Sequence, residues 1–172
     1  MAAYCGPMTI SGIEQPPRVL RVLHVEDSEL DHQLICAQLA RGGLAVDVQR
    51  LDALPAVLAA LARPWDAIIS DFNLPGYSGL QVLDALKERQ LLLPFILVSG
   101  EIGEDIAVAA MRDGASDYLL KNNLNRLAPA LLHAISAVEN ERARRAADLE
   151  LIKSKQRLHQ LAGHLQSSVD LE

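Results

Sequence analysis

From Arg18 onward, short apolar runs rich in β-branched residues alternate with segments whose apolar positions recur every three or four residues. The first run, residues 19–25, ends in Glu26-Asp27. A helical stretch follows from Ser28, with Leu30, Leu34, Ile35 and Leu39 assigned to one face and Gly42-Gly43 as its stop. Residues 45–51 read as a second strand. Asp52 is placed to cap the next helix, which carries Leu54, Val57, Leu58 and Leu61, with Pro55 in its tolerant first turn. The third strand, 67–70, is nearly all apolar and runs into Asp71; a loop over 72–77 and a helix from Ser78 to about Arg89 follow. The fourth strand, 95–98, ends at Ser99-Gly100. A helix over 104–112 stops at Asp113-Gly114, and the fifth strand, 117–120, ends at Lys121.

Five strands thus alternate with five helices, and the middle strands are apolar on both faces. This pattern predicts a doubly wound α/β fold, a parallel sheet covered on both sides and joined by right-handed crossovers.

The chain flanks this unit on both sides. Residues 1–17 have no sustained period and contain two glycines and three prolines, which predicts a flexible leader. At the other end, helical character runs from Leu124 to about Ser168 with one proline, Pro129, near its start. Its apolar register (Leu124, Ala128, Leu131, Ile135, Val138) meets a polar patch at Arg142 and Arg145, then resumes at Leu149 and Ile152. A shifted register runs through Leu151, Leu158, Leu161 and Leu165. One helix of this length would extend about 67 Å, a candidate for a two-stranded coiled coil and so for a homodimer.

Composition narrows the classes. Half the chain is hydrophobic, yet only six residues are aromatic, and Leu (30) and Ala (24) dominate, so the core is aliphatic. Two cysteines, Cys5 and Cys36, cannot build a disulfide scaffold and read as thiols of a reducing compartment. The net charge of −6 argues against a nucleic-acid surface. No apolar run reaches the roughly 18 residues of a membrane span. The N-terminus shows no basic region followed by an apolar stretch, so a cytoplasmic protein is expected.

In open parallel sheets, chemistry gathers at the carboxyl ends of the strands. Four of the five strands end there in polar groups: Glu26-Asp27, Asp71, Ser99 and Lys121. Each alone has an ordinary explanation as a cap, a turn residue, a loop hydroxyl or a surface charge. Together they sit on one edge. Three carboxylates at close quarters repel unless a divalent cation lies between them, and a hard all-oxygen set suits Mg²⁺. A carboxylate nucleophile flanked by metal, ammonium and hydroxyl is suited to phosphoryl transfer onto aspartate.

These residues carry a resemblance. The segments Val-Leu-His-Val-Glu-Asp-Ser (22–28), Ile-Ile-Ser-Asp-Phe-Asn-Leu-Pro-Gly-Tyr-Ser-Gly (68–79), Leu-Val-Ser-Gly (97–100) and Gly-Ala-Ser-Asp-Tyr-Leu-Leu-Lys (114–121) resemble, in order and interval, the receiver domains of two-component response regulators. The resemblance covers residues 18–138 and implies a flavodoxin-like sheet of strand order 2-1-3-4-5. It implies that Asp71 accepts a phosphoryl group from a histidine kinase or phosphotransfer protein. It further implies that Asp27 binds Mg²⁺ directly, Glu26 mainly through water, and the backbone carbonyl of Asn73 as a further ligand. Lys121 would pair with phosphoryl oxygens, Ser99 would hydrogen-bond the phosphoryl group, and Tyr118 would swing inward as Ser99 moves. Asn73 and Glu101, two past the phosphoacceptor and two past the serine, would tune dephosphorylation. Residues 139–172 would extend the last helix toward an output module outside these residues.

Two positions depart from the family pattern. The first acid is Glu rather than Asp, and Asn122 follows the lysine where proline is common, which puts the turn after the fifth strand in question. Two other classes compete with the phosphoacceptor reading: a phosphorylation-independent interaction module, and a phosphatase with an aspartyl nucleophile. The full acid, serine and lysine set speaks against the first. Asn73, where such phosphatases place a second Asp, speaks against the second, so a signalling domain rather than an enzyme is expected.

Overall fold

The computed structural model describes residues 18–101 and 103–169; the predicted leader and Cys5 lie outside the described residues. The chain runs β1 (Leu20–Val25), α1 (Glu29–Arg41), β2 (Val46–Leu51), α2 (Leu54–Ala60), β3 (Ala67–Asp71), β4 (Asn73–Leu74), β5 (Tyr77–Ser78), α3 (Gly79–Glu88), β6 (Phe95–Ser99), α4 (Glu104–Arg112) and β7 (Asp117–Leu120). A 3₁₀ turn (Leu124–Arg126) then leads into α5 (Leu127–Val169).

The five long strands form one parallel sheet in the order β2-β1-β3-β6-β7. That is the predicted doubly wound order, with the two-residue strands left aside. Alternation along each strand sorts its side chains between two layers. Leu23, Val25, Ile68, Phe95 and Leu97 pack beneath Val57, Trp65, Val82, Leu86 and Ala110 on one face. Leu20, Val22, Ile69, Ile96, Val98 and Leu119 meet Ile35, Leu39, Leu127, Leu131 and Ile135 on the other.

Three local expectations are corrected. Asp52 does not cap α2: the N-cap position is Ala53, without a side-chain bond, and the Asp52 carbonyl accepts from the Tyr77 hydroxyl at 2.8 Å. The 72–77 loop contains a two-residue antiparallel ladder, β4 with β5, too short to show a period. In α1, Ile35 and Leu39 are buried, whereas Leu30 and Leu34 face solvent. At 100° per residue, Leu30 lies about 140° around the helix from Ile35. The inward stripe therefore runs through His32, Ile35 and Leu39, and the first turn offers Asp31 to the sheet edge.

Two turns matter for the site. Gly79 opens α3 against the end of β3, where an added Cβ would come within 2.4 Å of the Asp71 carbonyl oxygen. The turn after β7 forms without proline: the Asn123 N–H donates to the Leu120 carbonyl at 2.9 Å.

The last helix is continuous for 43 residues, about 65 Å. Its first three turns bury Leu127, Ala128, Leu131, Ala134 and Ile135. Two ties reach past them: Arg18 bonds Glu139 at 3.2 Å, and Arg142 donates to the Leu92 carbonyl. From Arg142 to Val169 every side chain is exposed, including Leu149, Ile152, Leu158, Leu161 and Leu165. No helix among the described residues is long and apolar enough to cross a membrane.

Candidate functional site

Strands β1, β3 and β7 deliver their terminal polar residues to one end of the sheet. Glu26 and Asp71 are buried, and Asp27 is exposed. One carboxylate oxygen from each lies within 4.8 Å of the other two. Hydrogen bonds fix the buried pair: Glu26 Oε1 accepts from the Ser28 N–H at 3.0 Å, and Asp71 Oδ1 from the Asn73 N–H at 3.3 Å. Their loop is braced from β2, where Arg50 donates to the carbonyls of Glu26 (3.1 Å) and Asp27 (3.4 Å) and pairs with Glu29 at 3.0 Å.

Lys121 is anchored by its backbone N–H to the Ser99 carbonyl at 2.8 Å. Its ammonium meets three carboxylates: Asp31 at 2.6 Å, Asp71 at 2.8 Å and Glu26 at 3.0 Å. Burial works to lower the Lys121 pKa, but the hydrogen bonds to Asp31, Asp71 and Glu26 outweigh it and hold the lysine charged, above its usual range. Burial pushes the Glu26 carboxyl up, and the Asp71 charge adds to this against the bonds from Ser28 and Lys121. Four carboxylates against one ammonium leave the cluster negative. An oxygen-only donor set with excess charge fits a hard divalent cation.

Ser99 and Tyr118 meet at one residue. The Ser99 hydroxyl is buried; it donates to the Glu101 carbonyl at 3.3 Å and accepts from the Glu101 N–H at 3.2 Å. Tyr118 is half-buried, and its hydroxyl donates to the same carbonyl at 3.0 Å. The Asn73 and Glu101 side chains are both exposed at the rim.

The structure thus gathers Glu26, Asp27, Asp71 and Lys121 into one cluster and sets Ser99 and Tyr118 beside it. Three neighbours were not read from the sequence. Asp31 looks like an ordinary acid in a first helical turn, and Arg50 like a solvated strand charge. His24, within the apolar first strand, is buried with its Nδ1 2.8 Å from His32 Nδ1. Burial, then the charges of His32, Lys121 and Arg50, lower its pKa to about 3. The i,i+4 pair His32 and Cys36 on α1 places a thiol 3.7 Å from the second ring.

Comparison with known proteins agrees with this geometry. The response regulator receiver domain family matches residues 22–132. The response regulator protein FleR of Pseudomonas aeruginosa is 38% identical over 102 residues, 59% of this chain and 21% of FleR. The DNA-binding transcriptional regulator NtrC of Salmonella typhimurium is 44% identical over 66 residues, 38% of this chain and 14% of NtrC. The chain therefore spans only about a fifth or less of the length of these two relatives. Among solved structures, a sensor protein from Polaromonas sp. JS666 superposes with a TM-score of 0.59 at 28% identity, covering 71% of this chain and 99% of the other. A response regulator receiver domain protein from Clostridium thermocellum gives 0.61 at 24% identity, with 70% and 98% covered, and speaks for the fold. With more than half of its length matched and the acid–lysine cluster at the matched sheet edge, the chain belongs to the response regulator receiver domain family.

Proposed function

We propose that residues 18–138 are a phosphoacceptor receiver in which Asp71 takes a phosphoryl group from a phosphohistidine on a histidine kinase or phosphotransfer protein. The observation that carries this reading is the Lys121 ammonium 2.8 Å from Asp71 Oδ2, beside two further acids that converge on the same space. An Asp71 oxygen attacks phosphorus; the P–O bond forms as the P–N bond breaks. The electron pair leaves on the imidazole nitrogen, with a proton on the ring's other nitrogen keeping the leaving group neutral.

Glu26, Asp27, Asp71 and the carbonyl of Asn73 would hold Mg²⁺, which when bound neutralises charge on the transferring group. Lys121 takes up a phosphoryl oxygen. Ser99 turns its hydroxyl from Glu101 to the phosphoryl group, and this frees the carbonyl it shares with Tyr118 to rearrange, the local step of a two-state switch. Asn73 and Glu101 orient the water that ends the signal. The domain catalyses only its own phosphorylation and dephosphorylation.

Residues 139–172 carry the change outward. The exposed leucines at 151, 158 and 165 are seven apart, a spacing that suits a second copy of the helix, and an output module is expected beyond it.

Incubating the chain with acetyl phosphate and Mg²⁺ and reading intact mass tests the reading. One added phosphate is expected, absent in Asp71→Asn and without Mg²⁺. An unmodified wild-type chain, or an equally modified Asp71→Asn, would overturn it.

A further inference from the structure

An ammonium has three N–H donors, and in Lys121 each faces a different carboxylate, so none is free. A phosphoryl oxygen that is to pair with Lys121 must displace one partner. Glu26 is 1% exposed, and its second oxygen is already held by the Ser28 N–H. Asp71 is the acceptor itself. Asp31 differs from both, since its side chain is 35% exposed and water can take over its oxygens once the lysine leaves. Its backbone N–H is capped by the Ser28 hydroxyl at 3.3 Å, so the helix end stays put while the side chain lets go.

We propose that Asp31 is a positioning residue that holds the Lys121 ammonium while Asp71 is unphosphorylated and surrenders it to the phosphoryl group. It thereby restrains how fast the site takes phosphate. The proposal rests on the phosphoacceptor reading of Asp71. It links α1 to the end of β7 through a contact, 90 residues apart in the chain, that phosphorylation would break.

A neighbouring acid separates this role from plain charge repulsion. Glu29 lies in the same helical turn, is exposed and pairs with Arg50 instead of Lys121. The experiment follows acetyl phosphate-driven phosphorylation of the full chain in Mg²⁺ by intact mass, in wild type, Asp31→Asn, Asp31→Ser, Asp31→Glu and Glu29→Gln. Thermal unfolding midpoints of all five check that each variant is folded.

Asp31→Asn and Asp31→Ser should react about tenfold faster than wild type, the worth of one charge-assisted hydrogen bond. Asp31→Glu, which keeps the charge on a side chain one methylene longer, should return to within about twofold of wild type, and Glu29→Gln should stay there too. Wild-type rates in both neutral Asp31 variants, or the same acceleration in Glu29→Gln, would overturn the proposal while leaving the phosphoacceptor reading intact. A wild-type chain that takes no phosphate would overturn both.

Discussion

The carboxyl edge of the sheet and the outer part of α5 each leave something uncompensated, in opposite currencies. At the edge, one lysine bonds three acids with a fourth, Asp27, beside two of them, and the excess is negative charge packed into a partly buried space. Along α5 beyond Arg142, the excess is apolar: Leu158 is 65% and Leu165 70% exposed on a stretch of helix whose side chains are all exposed among the described residues. A self-sufficient domain would neutralise the first and bury the second. Crowded like charge calls for a cation, whereas an uncovered leucine stripe calls for a protein surface. The first is suited to receive a signal and the second to pass it on. The buried start of α5, from Leu127 to Ile135, is the physical link between them.

That contrast can be broken from either side. The largest effect is expected at the edge. Lys121→Ala removes the ammonium bonded to three of the acids and should slow phosphorylation by acetyl phosphate by about 10² to 10³, as loss of a preorganised charge at a transferring group does. A change below tenfold would mean that the ammonium has no part in the transfer.

On the other side, Leu158→Ser with Leu161→Ser should weaken self-association at least about a hundredfold, by loss of two buried leucines per copy. Phosphorylation should remain at the wild-type rate. Sedimentation equilibrium reads the first and intact mass the second. Unchanged association would mean that the helix stripe does not mediate it.

A smaller effect concerns pH. His24 is held near 3 in the folded chain, well below the ordinary imidazole value of 6.5, so the unfolded chain binds a proton that the folded chain refuses. Its contribution is complete above about 6.5 and lost as pH falls toward 3, by up to about 1.4 kcal/mol per pH unit. Glu26, pushed up by burial, acts in the opposite sense, stabilising at low pH and losing that effect as pH rises. Urea unfolding at pH 7 and pH 5 should show a smaller loss in His24→Val than in wild type. Equal losses would mean that His24 is not the acid-sensitive group. The smallest effect is at the rim: Asn73→Ala with Glu101→Ala should slow decay of the phosphorylated chain severalfold, and an unchanged decay would end their assigned role.

Much of this was legible beforehand, for identifiable reasons. Strands buried on both faces write themselves as unbroken apolar runs, so Glu26, Asp71, Ser99 and Lys121 stood out where those runs stop. The long α5 was legible because its one proline, Pro129, falls in the tolerant first turn and Gly163 is its one glycine. Asp31 was not, because its partner is 90 residues away and an acid in a first helical turn needs no explanation. Leu30 and Leu34 drew the packed face of α1 to the wrong side, and with it went His32 and its contact with His24. Apolar periodicity reports which residues are hydrophobic, and a helix with leucines on two sides leaves the choice to tertiary packing.

The central claim is a covalent bond at one atom, and it can be located directly. The chain is phosphorylated with acetyl phosphate in Mg²⁺, treated with borohydride, which reduces an acyl phosphate to the corresponding alcohol, and digested for tandem mass spectrometry. Homoserine at position 71, and at no other acid of the cluster, is the predicted result. Conversion at Asp27, Asp31 or Glu26 instead, or at none of them, would contradict the account.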